Sequence, residues 1–182
     1  MSEYTVKAEK LSLPLVALSS TVAFPGEIIN LEVGDNAFGS HDALREAFEG
    51  SKYAVAVPIK PDENDGNTEP QLFEIGTVIK IKQLVNAGEK TIRCIAEGMS
   101  RAIVTSYRKT GKYNTADVIC KTVALPDTPG IKNQAYLRRL TEAATQMAKL
   151  LPPPAENILP TFKSIKNPAL LAGKASPVLD HN

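Results

Sequence analysis

The sequence predicts an α+β chain that is β-rich from Leu11 to Ala124 and helical thereafter. Two observations carry that prediction. Apolar residues before Ala124 recur mostly with a period of two, and those after Gly130 recur at alternating three- and four-residue steps. Between them lies Leu125-Pro126-Asp127-Thr128-Pro129-Gly130, the clearest boundary in the chain. The organisation expected is a flexible polar tail over 1–10, a β-rich subdomain over 11–124, a linker over 125–132 and a helical subdomain over 133–182. That last part is expected to continue in a longer protein.

Leu13, Leu15 and Ala17 alternate as a short strand would, and Pro14 suits an edge strand or a strand start because it cannot donate to a ladder. Phe24-Pro25-Gly26 predicts a type II corner, with proline presetting φ and glycine accepting a positive φ. Ile29, Leu31 and Val33 alternate with Ile28, Asn30 and Glu32, so a second strand follows. Over Gly39–Gly50 the period changes. Leu44 and Phe48 lie four apart, Ser40 is the expected N-cap, Asp42 suits the first turn and Gly50 stands where a C′ glycine belongs. His41 is read as an exposed first-turn side chain, with no partner in sequence for a catalytic or metal role.

Tyr53–Ile59 reads as a compact apolar strand. Lys60–Pro70 then reads as a solvated loop; its Asp62, Asn64 and Gly66 echo the start of an EF-hand, but the later Glu and the flanking helices are absent. Phe73–Val104 is the segment around which the rest is organised. Val78, Ile79, Ile81, Leu84 and Val85 form one run, Asn86–Lys90 a turn-rich link, and Ile92, Cys94 and Ile95 the start of a return strand. In that return strand Ile92 and Cys94 point one way, Arg93 and Ile95 the other. Gly76 and Gly98 mark bends or close backbone approaches. Tyr107–Tyr113 reads as a charged hairpin turn, and Val118, Cys120 and Thr122 share a face of the last strand. In the helical part Leu137, Leu140, Ala144, Met147 and Leu151 form a seam, Pro152-Pro153-Pro154 stops the helix, and two further short helices follow around Ile158–Ile165 and from Asn167-Pro168.

Composition narrows the function classes. The 182 residues carry 21 basic and 20 acidic side chains, so the positive excess of a general nucleic-acid binder is missing. Arg108, Lys109 and Lys112 among Tyr107 and Tyr113 form only a small basic patch. No apolar run reaches membrane-spanning length, which argues against a membrane partner. Cys94 and Cys120 are read as buried free thiols, in keeping with a reducing cytoplasm. No carboxylate pair, His cluster or nucleophile arrangement marks a catalytic site, and no cofactor-binding or metal-binding residues are assigned. The phosphate-cradling pattern G-x-x-x-x-G-K-[ST] is absent.

The succession Phe24-Pro25-Gly26, Phe73-Glu74-Ile75-Gly76-Thr77, Glu97-Gly98-Met99-Ser100-Arg101-Ala102 and Tyr113–Val118 resembles the amino-terminal domain of Lon, the ATP-dependent protease. Ser164-Ile165-Lys166-Asn167-Pro168 to Ala172 is similar to the start of that family's helical continuation. The chain departs from the family at Ala17 and Ser19, where many members carry Pro and Arg, and at Gly173, where Asp is common. The resemblance implies a PUA-like β-pseudobarrel followed by a small helical bundle. It also implies a role in recognising unfolded, damaged or degron-bearing proteins and in assembling a homo-hexamer. This chain would then bind without cutting, as part of an ATP-dependent serine endopeptidase whose ATP and Mg serve other domains. A client surface should be an exposed apolar patch, and Leu84, Val85 and Met99 are the candidate substrate-binding residues. A stand-alone adaptor of the same fold is the alternative, followed by a PUA-like RNA-binding module.

Overall fold

The computed structural model describes residues 5–61, 70–88, 91–124, 130–148, 164–165 and 171. Among them the order of elements is β1 (Thr5–Leu18), β2 (Ile28–Gly34), α1 (Ser40–Glu49), β3 (Tyr53–Pro58), β4 (Ile75–Asn86), β5 (Thr91–Thr110), β6 (Tyr113–Ala124) and α2 (Ile131–Ala148). Two compact units part between Thr122 and Val123. β1 starts at Thr5, inside the stretch read from sequence as a tail. The EF-hand echo in the 62–69 segment lies outside the described residues.

The strands form one sheet in the order β2-β5-β4-β3-β1-β6, and β5 also pairs with β6. Strands β1, β3, β4, β5 and β6 therefore close a ring. Apolar side chains from all five, among them Leu15, Val57, Val78, Ala102 and Val118, fill its interior. The opposite face of β1, β3 and β4 is buried too, by Val16, Ala56, Ile79 and Ile81 packing against Leu31 of β2 and Leu44 of α1. Leu15 and Val16, neighbours in sequence, are both fully buried on opposite faces. A side chain of that size contributes about 1.5–3 kcal/mol when fully buried, and β1 makes that gain on both sides. β1 is an interior strand between β3 and β6, not the edge that Pro14 suggested. Pro14 lies just outside the register with β3, which runs from Leu15 to Leu18, so its missing N–H interrupts nothing there.

One bulge lets a single strand serve both cores. In β5, Gly98 pairs with Ile79 and Ser100 pairs with Val78, leaving Met99 as an extra residue. Ile79 belongs to the core under α1 and Val78 to the ring interior. Because Met99 is extra, the same alternate positions change face: Ile92, Cys94 and Ala96 face the first core and Ala102 the second. The other edge of β5 is divided the same way, with β2 along Thr91–Glu97 and β6 along Ala102–Thr110.

Ser40 corrects the capping expected from sequence. The N-cap is Gly39, in the left-handed region, and no side chain caps the helix there. The Ser40 hydroxyl instead accepts the Ala17 N–H at 2.8 Å and donates to Asn36 Oδ1 at 3.0 Å. Asn36 Oδ1 also accepts the Phe38 and Ser40 N–H groups. Asn36 therefore organises the helix entry, and Ser40 ties it to β1. At the other end Gly50 keeps a negative φ, and the positive φ falls on Lys52, whose ammonium donates to the Phe48 carbonyl and sits over the Phe48 ring. His41 is 15% exposed in its side chain, less than a free first-turn residue would be, with Nδ1 3.5 Å from Asp42 Oδ1.

In the second unit Leu137, Leu140 and Ala144 of α2 pack with Ile165 and Leu171. Three of the five residues of the seam read from the sequence thus share one small core. Met147 and Leu151 fall where side chains are not described.

Candidate functional site

The loop joining β1 to β2 is held down by two groups from distant strands. Pro25 and Gly26 make the corner, Gly26 with φ of 79° as the Phe-Pro-Gly sequence predicts. The Gly26 N–H donates to the Gly98 carbonyl at 2.8 Å, and the Gly98 N–H donates to the Glu27 carbonyl at 2.8 Å. Both main-chain groups of Gly98 are thus used on the corner. The buried Thr77 hydroxyl donates to the Ala23 carbonyl at 2.7 Å. Gly76 next to it lies so close to β3 that a Cβ there would stand 2.6 Å from the Ala56 carbonyl oxygen. Sequence pieces separated by dozens of residues therefore meet at one place.

Beside this corner the outer surface is apolar. Ile75 pairs across the ladder with Ile103, and Ile103 with Ile119, which puts three isoleucines in one row over β4, β5 and β6. Ile75 is 57% exposed and Ile103 38% exposed. The next row is Thr77 opposite Arg101. Val22, Ile75, Thr77 and Arg101 line a shallow cavity of about 130 Å³ against the corner.

A second, larger hollow of about 360 Å³ lies over β2, β5 and β4. Cross-strand register places Asn30, Ile95 and Gln83 in one row and Glu32, Arg93 and Val85 in the next. Arg93 Nε reaches Glu32 Oε2 at 2.9 Å, an exposed pair of little energetic weight that neutralises both charges.

Leu84 is half-buried and packs against the core under α1. Val85, its neighbour, points the other way, is 50% exposed and lines the larger hollow. Met99, at the bulge, is 43% exposed. Sequence reasoning missed Ile75, Ile95 and Ile103. One signal was present: Ile95 shares its strand face with Arg93, and an isoleucine in phase with an arginine points to an apolar residue in water.

The titrating groups nearby are structural. Burial pushes the Cys94 thiol up to about 11 and raises Cys120 as well, so both stay protonated at neutral pH. Lys82, whose ammonium lies 2.7 Å from Glu97, holds the Glu97 carboxyl below its ordinary value. Arg108, from the small basic patch, is paired with Asp117 at 2.7 Å. Among the described residues no three His, Cys, Asp or Glu side chains gather as metal ligands, and no helix is long and apolar enough to cross a membrane.

Known proteins resemble this chain over most of its length. The sequence model described as the ATP-dependent protease La (LON) substrate-binding domain matches residues 12–179. A Lon protease of Syntrophomonas wolfei is 29% identical over 147 residues, covering 78% of this chain and 17% of the relative. One from Buchnera aphidicola of Acyrthosiphon pisum is 28% identical over 171 residues, covering 91% of this chain and 21% of the relative. The chain thus spans about a fifth of the length of the second relative and somewhat less of the first. The N-terminal domain of a Mycobacterium avium complex Lon protease has the same fold, with a TM-score of 0.66, 16% identity and coverage of 91% of this chain and 81% of that one. The matched residues take in β1 from Ser12 onward and every later described element through α2, so this chain belongs to the family of Lon protease substrate-binding domains.

Proposed function

We propose that this chain is the substrate-recognition and oligomer-assembly module of a Lon-type ATP-dependent serine protease. In this reading it binds unfolded or degron-bearing proteins without cutting them, while ATPase and protease domains elsewhere in a homo-hexamer use ATP and Mg to do the work. The observation that carries it is the exposed apolar surface of a domain whose family is described as substrate-binding: Val85 and Ile95 over the larger hollow, and Met99, Ile75 and Ile103. Side chains that fold inward in native proteins are outward in unfolded ones, and an exposed apolar patch with a polar rim takes them without a fixed sequence. Met99 suits such a surface because its side chain is flexible and polarizable. Leu84, turned to the core, supports the hollow from beneath in this reading.

The test compares a permanently unfolded probe, reduced and carboxymethylated α-lactalbumin, with its native form. The chain should bind the first and not the second. A Val85→Asp, Met99→Asp double variant, altered only at exposed positions, should keep its fold and lose about tenfold or more in affinity, roughly 1.4 kcal/mol. Equal binding of both forms, or unchanged affinity in the folded variant, sinks the assignment of this surface.

A further inference from the structure

We infer that the open edge of β2 takes up an extended segment of an unfolded client as an added strand, reading its backbone rather than its sequence. The inference rests on the client-binding reading above and supplies its mode. β2 ends the sheet, with β5 on one side and no strand on the other among the described residues. Gly98 donates its N–H to Glu27, and β2 then pairs with β5 from Ile28↔Glu97 to Gly34↔Thr91. Bonded and non-bonded pairs alternate along an antiparallel ladder. Ile29, Leu31 and Val33 therefore spend their N–H and C=O groups on β5, while Ile28, Asn30, Glu32 and Gly34 aim theirs outward. Repeating every second residue, about 6.8 Å apart, that row of donors and acceptors matches another extended backbone.

Two further features favour a lone polypeptide as the occupant. The edge opens on a slot of about 200 Å³, walled by Asn30, Glu32 and Gly34 on one side and Ser19, Ser20 and Thr21 on the other. A lone strand would bring only its own width between these walls, whereas the edge of a folded sheet brings its neighbouring strands with it. β2 also lacks the guards by which proteins blunt sheet edges. Its sequence Ile-Ile-Asn-Leu-Glu-Val-Gly has no lysine or proline, and its one charge, Glu32, is already paired with Arg93.

The experiment uses a fluorescent Val/Thr-alternating peptide, the same peptide N-methylated at alternate residues, and the carboxymethylated α-lactalbumin probe. N-methylation removes backbone donors along one edge and leaves the side chains in place, so the methylated peptide should bind at least tenfold more weakly than its parent. Asn30→Pro removes one outward N–H without touching the β5 ladder, a substitution edge strands accept. That variant should keep its circular dichroism and lose affinity for both unmethylated probes; Glu32→Pro repeats the test at the next outward position. Equal binding of the two peptides overturns the backbone readout while client binding stands. Failure of every unfolded probe to bind the unmodified chain overturns the client reading itself, and the strand addition with it. Self-association that is lost in Asn30→Pro, read by sedimentation, overturns the inference by giving the edge to a second copy.

Discussion

The carbonyl carbon of Phe24 stands 2.8 Å from the point where Gly98 would carry a Cβ, and its oxygen stands nearer still. The β1–β2 corner thus lies directly on the β5 backbone, joined by the two hydrogen bonds of Gly98. No rotamer relieves a clash between a Cβ and a main-chain carbonyl. Gly98→Ala should cost about 3 kcal/mol or more in urea unfolding, as an overpacked and distorted site does. Gly88→Ala, whose nearest neighbour would be Thr91 Cβ at 3.9 Å, should change stability by less than about 0.5 kcal/mol. Similar small effects at both positions would mean that the corner does not rest on Gly98.

Asp117 fastens the ring at its seam. Ser12 of β1 bonds its carboxylate, as do Arg108 at 2.7 Å and Ser106 at 3.1 Å from β5, and these bonds hold its carboxyl below the ordinary value of 3.8. A carboxyl depressed by folding stabilises the protein above its unfolded pKa, and the benefit goes as the pH falls through the folded one. Thermal unfolding followed from neutral pH to below 3.8 should therefore show a steeper acid loss in the parent than in Asp117→Asn. Parallel curves would contradict the assignment.

Cys94 gives a signal at the alkaline end. With the thiol raised from 9.0 to about 11, folding favours the protonated form, so its contribution is complete below pH 9 and is lost as the pH rises through 11. The loss should approach about 2–3 kcal/mol and be absent in Cys94→Ala, measured by urea unfolding across that range. At pH 8 the native protein should react with a thiol reagent far more slowly than the unfolded chain. Fast labelling of Cys94 without unfolding would show that the core under α1 opens.

The pattern in β2 was fully legible: alternation from Ile28 to Gly34 gave the buried face, because one side of that strand meets water. β1 was harder, since both sides are buried and Leu15 and Val16 look alike in sequence. Around Leu84 and Val85 the obstacle was phase. Ile79 and Ile81 point inward, but a register shift between Ile81 and Gln83 leaves Lys82 extra and brings Leu84, not Val85, to the core. Bulges follow from how strands bend around neighbours, which a local pattern does not record. Gly76 and Gly98 announced close approaches, yet their partners, Ala56 and Phe24, lie far away in sequence. The helix entry failed for a similar reason: Ser40 has a better use, reaching back to Ala17, than capping its own helix.

The closure of the ring has a consequence in time. β1 pairs with β3 and β6, so the earliest-made of these six strands waits for the latest of them. Until Ala124 has been made, β1 can gain β3 but keeps an open edge with an apolar flank, and the core fed by Ala116 and Val118 stays unfilled. Contacts so distant in sequence form slowly, because a long loop must close before any of them contributes. A module whose family is described as substrate-binding thus passes through its own synthesis with the apolar flank of β1 uncovered until β6 is made.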